Sequence, residues 1–419
     1  MTAQFHGVRR FYHLLLSVLA AVLLLLPSPV RAAEPAPIHM ILNGDTRLNI
    51  GSAMNYLMDA DRQMTLDQAR NSAQWKPINR NGTPNFHFSN STFWVHFSLE
   101  NKSGQRDWKI EIANPQIDII DFYLIHTQTD AQGQTTEIIE KFSDGDLIPT
   151  SQRGAYTRVP LLNVTLQPNT DYEIYASTHS NTTLLLPITF WQPDAYAHQE
   201  LAIHSFLMLC FGALAGLLLY NAVLGYFAKD SSYFYYIHYV LSVILFQLAL
   251  SGVGTELLWG DSLWLKQKML ALFIPYSLFA AAIFIIKFLG LRAERPLYYR
   301  SVASIAVVGF VLSVLAVILP ERLTIPVSQG SIFIGCCLAL LIGIILAKKN
   351  NLSARTFVVA WPPLLLATLI TLFYYSGLLP RNFFTENTLL FGATVEMILL
   401  SSGLARRISQ LRKDQYLAS

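Results

Sequence analysis

Residues 201–227 read LAIHSFLMLCFGALAGLLLYNAVLGYF, a run without a single acidic residue, lysine or arginine. An apolar stretch of about 18 residues or more is long enough to cross the hydrocarbon core of a bilayer as a helix. Six further runs follow at roughly 233–257, 268–289, 301–319, 326–347, 356–377 and 387–404, separated by short polar or basic connections. A soluble core helix has no need of seven such runs in succession. Residues 198–404 are therefore expected to form a seven-helix membrane bundle, followed by a short tail at 405–419.

Working outward, the composition fits a membrane bundle joined to a soluble domain. The chain is 53% hydrophobic and only 14% charged, which excludes a disordered or fibrous protein. A net charge of +3 gives no reason to expect a nucleic-acid partner, and no motif calls for a cofactor or a metal. The three cysteines, Cys210, Cys336 and Cys337, all fall in predicted spans, so the soluble part must fold without disulfides. The adjacent pair reads as small packing residues.

Residues 1–32 have the layout of a secretory signal. Arg9 and Arg10 form the positive region, Leu14 to Leu26 the apolar run, and Val30 and Ala32 occupy the −3 and −1 positions of a cleavage site before Ala33. The alternative is an uncleaved anchor; in both cases the segment after it is exported. From 33 to 197 the texture changes to short alternating segments, an all-β pattern. Phe93, Val95, Phe97 and Leu99 share one phase, and Trp94, His96 and Ser98 the other. That period of two is what a half-buried strand requires. After a turn at Asn101–Gly104, Trp108, Ile110 and Ile112 continue the core phase, as do Ile120, Phe122 and Leu124. Further strands are expected at 161–166, 172–177 and 184–190, while 52–72 contains a helix or a long loop. The expectation is a sandwich. Five N-x-[ST] sequons in this domain, at Asn81, Asn90, Asn101, Asn163 and Asn181, would mark glycosylation only in a eukaryotic secreted protein.

The block Phe93-Trp94-Val95-His96-Phe97-Ser98-Leu99-Glu100-Asn101 resembles the "fW-x-R-F-x-L-x-N" strand of a periplasmic sensor domain family. Asn114-Pro115, Asp118-x-x-Asp121-Phe122-Tyr123-Leu124, Asp144-Gly145-Asp146 and Ser151-Gln152-Arg153 come next in that family's order. In the other half, Asn221-x-x-x-Gly225-x-Phe227, Lys229-Asp230-x-Ser232-Tyr233, Tyr236, Gln247-x-x-x-x-Gly252, Glu396 and Leu404-Ala405-x-Arg407-Ile408 continue the likeness. The family is that of bacterial seven-transmembrane receptors with diverse intracellular signalling modules (7TMR-DISM), with the type 2 extracellular domain. His96 departs from it, because an arginine is usual there. The resemblance implies a jelly-roll sandwich similar to carbohydrate-binding modules, facing the periplasm and sensing a small ligand, with a sugar as one candidate. Trp94, His96, Asp121 and Tyr123 share the non-core phase and would furnish either a ligand face or an ordinary second layer. Asp144, Asp146 and Arg153 read either as a ligand group or as an acidic turn with an ion-paired arginine.

An exported domain followed by seven spans puts the C-terminus in the cytoplasm, and the loop charges agree. The inner connections would carry Lys229, Arg292, Arg295, Arg300, Lys348, Lys349, Arg355, Arg406, Arg407, Arg412 and Lys413; the outer ones carry Lys266, Lys268, Arg322 and Arg381. The excess lies on the cytoplasmic side. Within the spans, Glu396 stands out, since an ionised group at mid-membrane costs several kcal/mol and must face protein or water. It is either a contact that changes between signalling states or a hydrogen-bonded structural residue. His204 and His238 sit near span ends, and Lys287 can snorkel to the inner surface. Pro275 and Pro362-Pro363 are expected kinks, and Gly212-x-x-x-Gly216 would serve homodimerisation or internal packing. The seventh span has no lysine, against a retinal-binding opsin.

No GG[DE]EF, kinase histidine box, P-loop, G-x-S-x-G or zinc spacing is present, so no enzyme is expected in this chain. Ile408, Leu411 and Gln415 hint at a heptad seam that goes no further. The preferred expectation is a bacterial inner-membrane receptor in contact with membrane lipid that passes a signal to a separate cytoplasmic kinase or cyclase. The alternatives are the sensory portion of a longer histidine kinase or diguanylate cyclase, a small-solute transporter, and an intramembrane enzyme. Against the transporter stand the lack of an internal repeat and the single central ionisable residue.

Overall fold

The computed structural model describes residues 39–418 except 52, 79–82, 130–131, 292–295, 350 and 377, with the backbone alone described beyond Arg406. The signal segment at 1–32, Asn81, Arg292 and Arg295 therefore lie outside the described residues. So do the side chains of Arg407, Ile408, Leu411, Arg412, Lys413 and Gln415.

The first half is a sandwich of two sheets. Its strands are β1 (His39–Leu42), β2 (Arg47–Asn49), β3 (Asn55–Asp59), β4 (Lys76–Pro77), β5 (Thr92–Asn101), β6 (Asp107–Ile112), β7 (Ile119–Thr129), β8 (Thr135–Asp144), β9 (Leu161–Thr165), β10 (Thr170–His179) and β11 (Ile188–Trp191). A short helix α1 (Leu66–Arg70) lies between β3 and β4. The larger sheet runs β4-β3-β5-β10-β7-β8, and the smaller one β2-β11-β6-β9. Pairing is antiparallel except where β1 lies along Ser98–Asn101 of β5. The alternation places Phe93, Val95, Phe97 and Leu99 of β5 in the space between the sheets, with Trp108, Ile110 and Ile112 of β6 and Ile120, Phe122 and Leu124 of β7. All ten are buried, each contributing about 1.5–3 kcal/mol when fully removed from water. Strand β8 carries no apolar alternation legible in the sequence, because it pairs at the sheet edge with most side chains in solvent.

Seven helical spans come after the sandwich: α2 (Pro193–Ala228), α3 (Ser231–Ser251), α5 (Leu263–Phe288), α6 (Pro296–Ile318), α7 (Glu321–Lys348), a span broken into α8 (Leu352–Ala360) and α9 (Pro362–Tyr375), and α10 (Phe383–Ala418). A one-turn helix α4 (Val253–Leu257) caps α3. Helices satisfy every backbone group internally, which is what hydrocarbon demands. In α5 and α10, 61% of the most apolar window is buried, against 28–39% in the other spans, so these two form the centre of the bundle. Pro362 does break its span, since proline supplies no N–H to the preceding turn, whereas Pro275 lies inside an unbroken α5. Gly225 lets α2 meet α3 closely: a Cβ there would lie 2.7 Å from Tyr233 Cβ. Lys229 then turns the chain with a φ of 51°, and the Asp230 carboxylate caps α3 by accepting from the Ser232 N–H at 2.8 Å.

Candidate functional site

Part of the stretches that carried the resemblance, Asn114-Pro115, Asp144-Gly145-Asp146, Ser151-Gln152-Arg153 and Gly252, comes together where the sandwich meets the bundle. At the end of β8, Gly145 has a φ of 140°, and a Cβ on it would lie 2.4 Å from the Asp118 carbonyl oxygen. Glycine is required there. The turn lets the Asp146 N–H donate to the Ile117 carbonyl at 2.7 Å and aims two carboxylates in different directions. Asp144 accepts from Arg153 Nε at 2.5 Å and from the Leu161 N–H at 2.9 Å, and the pair is nearly sealed, with side chains 1% and 2% exposed. Asp146 instead faces the bundle. Its Oδ1 lies 3.7 Å from Lys266 Nζ of α5, which also donates to the Ile148 carbonyl at 2.8 Å. Burial pushes Asp146 up to about 6 even though Lys266 and Arg153 pull the other way. Asp118, one strand over, accepts from Asn181 Nδ2 at 2.7 Å, and burial pushes it up to about 7.

Further polar contacts complete the joint. Arg158 donates to both oxygens of Glu200 on α2, at 2.8 and 3.3 Å. Burial opposes the Arg158 charge, but Glu200 and Glu111 raise the guanidinium above its ordinary value. His204 Nε2 lies 2.9 Å from Glu256 of α4. Arg381 pairs with Glu386 and stands 3.6 Å from Glu111, which also accepts from Trp191 Nε1 at 2.9 Å. Gln116 Nε2 donates to the Ala249 carbonyl at 3.0 Å, and the Thr150 N–H to the Gly260 carbonyl at 3.0 Å. Gly252, with a φ of 80°, brings the end of α3 so close that a Cβ would lie 2.2 Å from the Arg158 carbonyl oxygen. A buried charge is tolerated only when paired and hydrogen-bonded, so this dense pairing holds the sandwich against the bundle in one register.

Trp94, His96, Asp121 and Tyr123 do share the outer face of the large sheet, but the segment around α1 covers part of it. Met64, Leu66, Ala69 and Trp75 pack there against Leu57, Trp94 and Tyr175. Trp94 is 3% exposed and stacks on Tyr123 with centroids 5.8 Å apart, while His96 stacks on Tyr175 at 4.3 Å. The aromatic faces are engaged with one another. Burial pushes His96 below its ordinary value, although Glu173 beside it acts in the opposite sense. Asp121 accepts from Ser143 Oγ at 2.6 Å and pairs with Lys141 at 3.0 Å. The Trp94 indole N–H is buried and finds no acceptor among the described residues.

In the bundle, Glu396 of α10 is wholly buried, and the Tyr239 hydroxyl of α3 donates to its carboxyl oxygens at 3.2 and 3.3 Å. One residue on, the Tyr236 hydroxyl donates to the Met397 carbonyl at 2.7 Å, and Asn221 Nδ2 of α2 donates to Ser401 Oγ at 2.8 Å. The bundle half of the resemblance is thus a clamp on the last helix. Cys336 is buried and Cys337 exposed. Among the described residues, only His39, Glu100 and Asp171 converge closely enough to hold a metal ion, at a half-exposed strand end where Lys102 already pairs with Glu100 at 2.9 Å.

Sequence reasoning placed Lys266 and Arg381 outside the membrane but not in the site, and missed Glu111, Arg158, Glu200 and Glu256. Glu111 sat in the solvent phase of a predicted strand and is 1% exposed.

A model of the family described as "7TM diverse intracellular signalling" matches residues 203–407, and one described as "7TMR-DISM extracellular 2" matches residues 51–192. No curated protein matches the chain. Among solved structures, the N-terminal endo-1,4-beta-D-xylanase 10B of Clostridium thermocellum (CBM22-1 and GH10 modules, complexed with xylohexaose) is similar at 9% identity. That likeness covers 39% of this chain and 28% of the xylanase chain with a TM-score of 0.15, too low to carry an argument.

Proposed function

Because this chain belongs to the seven-transmembrane receptors with diverse intracellular signalling modules, membrane sensors with an extracellular domain, we propose that it reads a small periplasmic ligand and relays binding through the joint to its last helix. The protein sits in a bacterial inner membrane with its C-terminus cytoplasmic, in line with the odd number of spans and the basic inner connections. The sandwich is a jelly-roll whose ligand is a sugar, and the output is a separate cytoplasmic kinase or cyclase. Gly212 and Gly216 face open space, where a second copy would approach to form a homodimer.

One observation carries this reading. Strands β7 and β8 join the ligand face to the joint directly: Asp121 and Tyr123 lie on the strand that follows Asp118, and Ser143 precedes Asp144. A ligand seated against Trp94 displaces the cover formed by the α1 segment and favours a sheet position that alters the Asp146–Lys266 contact. Such a shift requires higher affinity for one of two states. From the joint, α5 leads to the bundle centre, and α10 continues without a break to Ala418.

Two measurements on the full chain in nanodiscs test it. A sugar panel is screened for a saturable rise in thermal midpoint, which binding to the folded form alone produces. Hydrogen exchange over residues 397–418 is then compared between the wild type and Lys266→Met. A several-fold change at the far end of α10, with the fold intact, is expected. Exchange that ignores both ligand and substitution ends the relay reading.

A further inference from the structure

A cavity of about 180 Å³ lies inside the bundle among α3, α5, α7 and α9, and Asn114, Gln116, Thr182 and Thr183 of the sandwich contribute to its lining. Its chemistry is one-sided. Among the described residues, no aspartate, glutamate, lysine, arginine or histidine lines it, and the walls are mostly aliphatic and aromatic groups such as Val243, Leu278 and Trp361. A charged guest would lose its hydration without gaining a counter-ion, which costs far more than apolar contact returns. The guest is therefore neutral and mostly apolar.

Gln247 supplies a directional feature. It is 3% exposed, lines this cavity and a smaller adjoining one of about 70 Å³, and its amide Nε2 has no hydrogen-bond partner among the described residues. The Thr371 hydroxyl, on the wall common to the same two cavities, likewise has no partner among the described residues. Buried donors left unmatched are destabilising, because they have given up water without a replacement acceptor. An acceptor on the guest removes that cost. For size, an apolar cavity of about 150 Å³ admits benzene.

We propose that this cavity is a binding site for an uncharged, mostly apolar molecule of about one ring or an eight-carbon chain, carrying a hydroxyl or carbonyl oxygen that Gln247 recognises. The inference concerns binding alone and goes beyond the receptor reading, so it stands or falls without any signal being relayed. A free amphiphile and the tail of a membrane lipid share part of this chemistry, and the lipid tail lacks the acceptor.

The test uses the full chain in nanodiscs with a diazirine-bearing octanol as photolabel, read by peptide mass spectrometry. Saturable labelling of lining residues such as Val243, Leu278 and Trp361 is expected, displaced by unlabelled octanol but not by octanoate or by added phospholipid. Gln247→Leu keeps the shape and removes the donor, and lowers labelling about tenfold, as for one lost hydrogen bond. Ala282→Phe fills the cavity from α5 and abolishes labelling. The wild-type saturation and octanoate comparisons decide the matter even if Ala282→Phe fails to fold. Labelling that does not saturate, or spreads over exposed bundle positions such as Leu209 and Phe227, overturns the site. Displacement by phospholipid, or Gln247→Leu labelling at the wild-type level, overturns it equally.

Discussion

At the sandwich–bundle joint, Asp144 and Asp146 stand against Arg153 and Lys266, whereas at the centre of the bundle the hydroxyl of Tyr239 is the one hydrogen-bond partner of the Glu396 carboxyl among the described residues. Both regions bury carboxyl groups, and they compensate them by different chemistry. Near the water interface, long cationic side chains can reach inward while their backbones stay in loops or helix ends. A second charge at mid-membrane would carry its own burial cost, so a neutral donor is the cheaper partner there. The joint is held by ion pairs, while the clamp on α10 is held by neutral hydrogen bonds.

The largest test of that contrast is Arg153→Met. It leaves Asp144 buried without a counter-charge, and a loss of about 3–5 kcal/mol is expected in denaturant titrations of the full chain. Adding Asp144→Asn should recover much of it; a single-variant cost below about 1 kcal/mol would show that the buried pair does not stabilise the sandwich side of the joint. Tyr239→Phe comes next, at about 1–3 kcal/mol, because it removes the hydroxyl whose single proton is shared between the two oxygens of a buried carboxyl. If this variant proves as costly as Arg153→Met, the two regions are not different in kind.

Acidity sharpens the comparison on the joint side. Asp118, at about 7, and Asp146, at about 6, sit well above the ordinary aspartate value of 3.8 in the fold. The native state therefore keeps protons that the unfolded chain has already released. Their contribution is fully present below the unfolded value and is lost as pH rises through 6 to 7. Moving from pH 8 to pH 6 should stabilise the protein by about 1–2 kcal/mol, and Asp118→Asn should remove most of that slope. A midpoint independent of pH in the wild type contradicts this assignment. The smallest effect is expected from Glu396→Gln, below about 1 kcal/mol, since the amide oxygen still accepts from Tyr239. A large loss there would mean that Glu396 has a partner the clamp does not include.

Much of this architecture was legible in the sequence because its signals are local. Alternation over Phe93–Leu99 and the apolar runs from Leu201 onward depend only on neighbours along the chain. The edge strand β8 escaped notice because its inward positions include Glu140 and Asp144 while Ile139 points to solvent, so no apolar alternation marks it. The site was less legible. The shared phase of Trp94, His96, Asp121 and Tyr123 could be read, but the cover over Trp94 comes from Met64 to Trp75, whose sequence does not announce a sheet partner. Asp144, Gly145, Asp146 and Arg153 stood out as a motif, yet Asp144 pairs within the sandwich and Asp146 pairs with Lys266 of a distant helix.

By itself, the sequence determined a β domain followed by seven spans, since burial in lipid and the alternation of a pleated strand each impose a period that one segment displays alone. Only the tertiary structure decided which charges meet. Arg158 with Glu200, Lys266 with Asp146 and Arg381 with Glu111 join segments far apart in the chain. Coulomb energy falls with spatial distance and depends on local burial, and neither quantity is written in the order of residues.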